Sequence, residues 1–127
     1  MVVDDSPVRL VIPARARFLR LARLTAAGIA GDLGFGLDAI EDLRVAVDEV
    51  CAVLIEGVDG DAELELVYRG TDEGLVIEGS CTNGNGVTDL HPVARELLAM
   101  TADDYSVYSA GDVVRFRLLK RRVVTTG

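Results

Sequence analysis

Few residues of this chain combine the right type with the surroundings that catalysis requires. His91 is the only histidine, and an imidazole can serve as a general acid or base. It precedes Pro92, with no carboxylate or nucleophile pattern around it, so we interpret it as a residue at the start of a helix. Three serines lack the elbow or triad context of a nucleophile: Ser80, Ser106 and Ser109.

The two cysteines, Cys51 and Cys81, show no metal-binding spacing. One disulfide between them is possible, although a reducing cytosol would not require it. We expect two small buried thiols instead, and we predict no metal ligand in the chain.

The elements that position these residues begin with a helix predicted at 38–58, where apolar residues recur at three- and four-residue steps. Its apolar stripe consists of Ile40, Leu43, Val47, Val50 and Leu54. Asp38 is the expected N-cap, and Glu41 completes a capping-box pattern. Gly57 and Gly60 are expected to end the helix. A second face carries Asp42, Ala46, Glu49 and Val53, one turn apart.

Shorter patterns predict the remaining elements. Strands are expected at 8–12, 64–68, 75–81, 105–109 and 113–119, and a short helix at 91–100. A further helix is expected at 14–30, with a core stripe of Phe18, Leu21, Ala22, Thr25 and Ile29, followed by a turn at Gly31, Gly34 and Gly36. This order predicts an α+β two-layer sandwich, with helices on one face of a mixed, mostly antiparallel sheet. We expect one domain over 1–127, with a core at 7–120 and tails at 1–6 and 121–127.

Composition narrows the class of protein. Half of the 127 residues are apolar, which is typical of a globular chain. The net charge of −8 argues against nucleic acid as the main partner. It is compatible with a basic protein partner, and equally with acidic solubility alone. No apolar run approaches the length of a membrane span, so we expect no membrane partner and a cytoplasmic location.

Segment 42–51, Asp-Leu-Arg-Val-Ala-Val-Asp-Glu-Val-Cys, resembles the first nucleotide motif of the anti-sigma regulatory factors. These RsbW-like proteins are serine-protein kinases on the histidine-kinase-type (Bergerat-like) ATPase fold. The opening at 10–14, Leu-Val-Ile-Pro-Ala, and the order of elements also match the family. Glu-Val-Cys followed by Leu-Ile, rather than Asn-Ala, is similar to actinobacterial anti-sigma-F-type proteins.

The resemblance assigns roles to two residues of the second helix face, which in an active kinase looks into the ATP pocket. Glu49 matches the acidic residue that acts as general base on the substrate serine, so it is the candidate catalytic residue; the alternative is a relic of the lineage. Val53 replaces the asparagine whose oxygen ligates magnesium. Magnesium requires hard oxygen ligands, and an isopropyl group has no lone pair.

The resemblance also places Thr-Asn-Gly-Asn-Gly, at 82–86, where the family has an aspartate-x-glycine-x-glycine motif. Gly84 and Gly86 are retained and are the candidate cofactor-binding residues, although Asn83 to Gly86 alone is an ordinary turn sequence. Thr82 replaces the aspartate that binds the adenine amine, a loss of roughly 1.5–3 kcal/mol. The stretch 87–90 is too short for the ATP lid. We therefore expect no cofactor, with ATP and magnesium needed only if kinase activity survives.

Two main hypotheses about function follow. The first is an anti-sigma factor-like protein that binds a sigma factor, an anti-anti-sigma (STAS) protein or both, without phosphoryl transfer. The second is an active serine-protein kinase that phosphorylates an anti-anti-sigma factor with Mg-ATP and Glu49. A third is a domain that serves another regulatory system. The resemblance also implies a homodimer. It could form through the strand near Val8 or through the hairpin of the strands predicted at 105–109 and 113–119. Arginines of the first helix, Arg20 and Arg23 above all, are either a solvated face or a partner-contact patch.

Overall fold

The structure is a computed structural model that describes residues 6–58, 60–82 and 89–122. Its strands are β1 (Val8–Pro13), β2 (Glu63–Gly70), β3 (Gly74–Thr82), β4 (Asp104–Ala110) and β5 (Val113–Arg121). Its helices are α1 (Leu19–Asp32), α2 (Leu37–Ile55) and α3 (Pro92–Thr101), with a short 3-10 turn at Ala16–Phe18 before α1. The helices pack on one face of the sheet, so the predicted α+β fold is confirmed.

The strands lie in the order β1-β2-β3-β5-β4. Every pairing between described strands is antiparallel, including that of β3 with β5, so the described sheet is antiparallel rather than mixed. Side chains alternate as predicted, because successive residues of a strand point to opposite faces. The buried, helix-facing set includes Leu64, Leu66, Tyr68, Ile77, Cys81, Val114, Phe116 and Leu118.

Four of the five residues predicted for the apolar stripe of α2 are buried in the core: Leu43, Val47, Val50 and Leu54. The fifth, Ile40, is partly buried and packs against the core. The predicted capping box is wrong. The N-cap is Gly36, whose carbonyl accepts a hydrogen bond from the Ile40 amide, and no side chain caps the helix. Asp38 is the second residue of α2. Its negative charge in the first turn interacts favourably with the positive end of the helix dipole. Gly57, with φ of 72°, follows the last turn as predicted.

The start of α1 and its core stripe also differ from the prediction. Arg15 is extended, and the 3-10 turn follows it, so the α-helix begins at Leu19 and continues through Gly31. The buried face consists of Leu19, Ala22, Ala26 and Ala30, which recur at three- and four-residue steps. Of the predicted stripe only Ala22 is fully buried, and Leu21 is exposed. Three of these residues are alanines, which permit close approach to α2 and the sheet.

Several local predictions hold. His91 is the N-cap of α3, and Pro92 occupies its first turn. Gly111, with φ of 66°, lies in the turn between β4 and β5. Cys51 and Cys81 are both free and buried. Among the described helices, none is long and apolar enough to cross a membrane.

Candidate functional site

One face of α2 carries Asp42, Ala46, Glu49 and Val53, within the helix on which the resemblance to the anti-sigma factors rests. We call this face the α2 flank. These residues lie one turn apart, beside rather than on the stripe that packs against the sheet. Ala46 is fully buried, and Val53 is only 3% exposed. Asp42 and Glu49 are half-buried. Along the α2 flank, buried apolar side chains therefore alternate with partly exposed carboxylates.

Helix α3 lies along the α2 flank and contacts α2 near both ends. At the C-terminal end of α3, Lys120 Nζ donates to the Thr101 carbonyl at 3.1 Å and lies 3.4 Å from Asp42 Oδ2. At the other end, His91 Nε2 lies 3.8 Å from Glu56 Oε1, an ion pair when His91 is protonated. These two contacts bracket the flank, so α3 runs antiparallel to α2. Its inward side chains are buried: Ala94, Leu98 and Thr101.

The described residues do not fit magnesium-bound ATP. The position that would supply the metal-binding amide holds the buried side chain of Val53, which has no oxygen to offer. A hydrated metal beside this isopropyl group would face an apolar wall. Within the described ranges, no group of three or more Asp, Glu, His or Cys side chains could hold a metal. Thr82 ends β3 and is exposed. Gly84 and Gly86 lie outside the described residues.

Glu49 lies on the α2 flank, one turn before Val53, and its side chain is half-buried. A carboxylate in this position is accessible to a protein that docks against α2. Its role as a general base stays a prediction, because a base also needs a substrate hydroxyl within hydrogen-bond reach.

The arginines of α1 do not form one free patch. Arg23 donates to Asp48 of α2 at 2.5 Å, and both side chains are partly exposed. Arg20 is exposed, and the apolar Leu24 next to it on α1 is 59% exposed. Arg20 is therefore the member of the predicted pair that is available to a partner, whereas Arg23 joins α1 to α2.

Lys120 is a residue of the site that the sequence interpretation missed. It follows Val114, Phe116 and Leu118 at two-residue steps, so the strand period places it on the helix-facing side. Its side chain is 13% exposed. A lysine at an inward position requires partners for its ammonium group, and Asp42 and Thr101 supply them. The alternation of β5 was the signal that could have identified it.

Neither cysteine is a candidate nucleophile. Burial raises the pKa of the Cys51 thiol, and the nearby Asp48 carboxylate raises it further. Burial likewise raises the pKa of Cys81. Because the thiolate is the reactive form, both thiols are expected to be inert near neutral pH.

The fold is shared with a protein of known structure. The crystal structure of the RsbU and RsbW domains of Rv1364c from Mycobacterium tuberculosis matches 94% of this chain and 35% of that chain, with a TM-score of 0.69. The sequence identity is 15%, so this match establishes the fold alone.

Sequence similarity is more specific. Proteins named serine-protein kinase RsbW from Bacillus thuringiensis, Bacillus cereus and Bacillus anthracis are each 39% identical to this chain over 49 residues. The match covers 39% of this chain and 31% of each relative's length. No protein-family model matches the chain. The predicted resemblance to the RsbW-like anti-sigma kinases is confirmed.

Proposed function

We propose that this chain is an anti-sigma factor-like regulatory protein that acts by binding, without phosphoryl transfer. It would bind a sigma factor, an anti-anti-sigma (STAS) protein or both, in the cytoplasm and as one domain. The observation that carries the proposal is the burial of Val53 on the α2 flank, at the place of the expected magnesium ligand. A kinase fold that resembles RsbW but lacks this ligand is better suited to recognition than to chemistry.

The surface chemistry supports a basic protein partner. The chain carries a net charge of −8, and long-range attraction favours encounter with a partner of opposite sign. Locally, the exposed Arg20 and Leu24 on α1 offer a guanidinium group beside an apolar side chain, and the guanidinium would pair with a carboxylate of the partner. Arginine contributes strongly at many protein interfaces, so Arg20 is the first residue to test.

The test is capture of sigma factors and STAS proteins from the native cell, followed by affinity measurements with purified partners. We expect equal affinity with and without Mg-ATP, and weaker binding for Arg20→Glu. Arg95→Glu, an exposed charge reversal on α3, is the matched control and should bind like wild type. Recovery of neither protein class, or binding that requires Mg-ATP, would contradict the proposal.

The second candidate function is a serine-protein kinase that uses Mg-ATP. The half-buried position of Glu49 favours it, because the carboxylate is neither fully buried nor engaged in a hydrogen bond with a described residue. Phosphate transfer to an anti-anti-sigma protein, abolished by Glu49→Gln, would establish this function. A binding protein would show no transfer in either form.

We also propose that the chain forms a homodimer, as expected from the resemblance. The two strands at the sheet edges, β1 and β4, and the sheet face opposite the helices are the candidate surfaces.

A further inference from the structure

The two edge strands of the sheet, β1 and β4, differ in how they are protected against pairing with another chain. An edge strand presents unpaired backbone amides and carbonyls, and proteins commonly block it with proline, a charged side chain or a bulge. β1 carries Arg9, which pairs with Glu65 at 2.9 Å, and it ends at Pro13, which has no amide hydrogen. β4 has no such protection along its middle.

β4 is long, regular and nearly uncharged. Its sequence over Asp104–Ala110 is Asp-Tyr-Ser-Val-Tyr-Ser-Ala, in which only the first residue carries a charge. Each of its seven residues has a partner on β5 in unbroken register, so no bulge disturbs the strand. Among the described strands, β4 pairs with β5 alone. Its outer edge is therefore suited to accept one more strand through the backbone groups.

The side chains of β4 offer contacts to both faces of an added strand. Tyr105 and Val107 lie on the helix-facing side and pack against the core, yet both are only half-buried. Ser106 and Tyr108 lie on the opposite side of the sheet and are exposed. Aromatic and β-branched residues on neighbouring strands stabilise each other. We therefore expect β-branched residues of the added strand beside Tyr105 and Val107.

Carboxylates lie at both ends of this edge. Asp104 begins β4, and Asp112 lies in the turn after it; both are exposed, and neither has a hydrogen bond or ion pair with another described residue. Arg115 and Arg117 on β5 are paired with the middle of β4, on the side of the sheet away from the helices. An added strand is therefore favoured by cations at its two ends and disfavoured by a cation in its middle.

We propose that the outer edge of β4 binds an extended segment of a basic protein partner. The segment adds as a further strand, with β-branched residues in its middle and a lysine or arginine at each end. This inference rests on the proposed function of binding and adds the chemistry of one bound segment. Its test uses no sigma factor, STAS protein or nucleotide, so its failure and the failure of the proposed function are separate results.

The probe is a seven-residue peptide, Lys-Val-Thr-Val-Thr-Val-Lys, acetylated and amidated, which matches β4 in length. Fluorescence anisotropy of the labelled peptide gives its affinity, and amide hydrogen exchange followed by NMR reports which backbone groups it protects. Because alternate amides of β4 point away from β5, we expect about tenfold slower exchange at alternate residues of β4 and no change in β1.

A second peptide tests whether the backbone carries the binding. Lys-Val-Pro-Pro-Thr-Val-Lys keeps both lysines but lacks two consecutive amide hydrogens, so it has lost a donor toward β4 whichever side it presents. We expect it to bind about tenfold more weakly than the first peptide. Equal affinity of the two peptides would mean that side-chain contacts alone account for the binding.

Charge reversal in the protein tests the two ends of the edge. The double variant Asp104→Lys/Asp112→Lys should bind the lysine-ended peptide about tenfold more weakly at low ionic strength. It should also bind the glutamate-ended peptide Glu-Val-Thr-Val-Thr-Val-Glu more tightly than wild type does, a gain that an unfolded variant could not show. Asp61→Lys/Asp72→Lys makes the same change of charge at two exposed residues outside β4 and its turn, and it should leave both affinities unchanged.

Three results would overturn the proposal: no binding of the lysine-ended peptide, protection in β1 instead of β4, or equal affinity for the peptide with two prolines. Slow exchange at alternate β4 amides of the protein alone, increasing with protein concentration, would also overturn it, because a second copy would then occupy the edge.

Discussion

Lys120 and Asp42 meet where three elements join: the ammonium group of Lys120 on β5 lies 3.4 Å from the Asp42 carboxylate on α2. The same group donates to the Thr101 carbonyl at the end of α3. A carbonyl in the last turn of a helix has no partner within that helix, and a cation there also complements the helix dipole. Lys120 thus holds α3 against the α2 flank.

Substitution of Lys120 by methionine should loosen this junction. Methionine keeps most of the side-chain volume but removes the charge, so the Thr101 carbonyl loses its donor and Asp42 its cation. Asp42 is partly exposed and can be solvated, which limits the loss of unfolding free energy to about 1–2 kcal/mol. Urea denaturation measures this change. Arg95→Met, at an exposed position of α3, should cost much less, and an equal cost for both would contradict the role of Lys120.

Restoring the family's amide at Val53 should not restore nucleotide binding. Val53→Asn places a polar group at a site that is 3% exposed, and an unsatisfied buried amide costs about 1–3 kcal/mol of unfolding free energy. Thr82, where the resemblance implies an aspartate that binds adenine, and the surroundings of the flank are unchanged. We expect lower stability in urea denaturation and no response to Mg-ATP in thermal melts. Val53→Ala separates the effect of lost volume, and stabilisation of Val53→Asn by Mg-ATP would show that one residue alone disables the site.

Tyr68 joins the sheet to α1 through one buried hydrogen bond. Its hydroxyl donates to the Ala22 carbonyl at 2.9 Å, and the side chain is 1% exposed. Tyr68→Phe removes this bond and should lower the unfolding free energy by about 0.5–1.5 kcal/mol. Tyr105→Phe, on the half-buried β4 tyrosine, is the control and should be nearly neutral. A neutral Tyr68→Phe would indicate that the hydroxyl contributes nothing to stability.

Stability should fall in alkaline solution because of the buried thiols. The pKa of Cys51 is raised in the folded state, so the unfolded chain releases the thiol proton first, near pH 9. Above that pH the folded state binds more protons, and the unfolding free energy decreases by up to about 1.4 kcal/mol per pH unit for each such group. Denaturation at several pH values from 8 to 10.5 should show this slope.

The control for the alkaline experiment is Cys51→Ala, which removes one thiol but leaves Cys81. Burial also raises the pKa of Tyr68, so this tyrosine adds to the slope at the upper end of the range. We expect a shallower decline in the variant, whatever its stability at pH 7. The same slope in both proteins would mean that Cys51 does not titrate differently on unfolding.

The sequence predicted what depends on local periodicity and missed what depends on distant contacts. The stripe of α2 and the alternation of the strands follow from side-chain spacing, so they were predictable. The N-cap was assigned to Asp38 on residue preference, whereas Gly36 occupies it. The stripe of α1 was misplaced because its buried face consists mostly of small alanines, whereas the prediction relied on larger apolar residues such as Leu21 and Ile29. The Lys120–Asp42 contact joins residues 78 positions apart, which no local pattern indicates.

Calorimetric titration tests most directly whether this RsbW-like fold serves in recognition rather than in phosphoryl transfer. Protein stripped of nucleotide would be titrated with ATP and ADP, with and without magnesium. Because the buried Val53 stands where the resemblance implies a magnesium ligand, we predict no binding heat even at millimolar nucleotide. Micromolar binding that depends on magnesium would contradict the account and restore the kinase as the leading function.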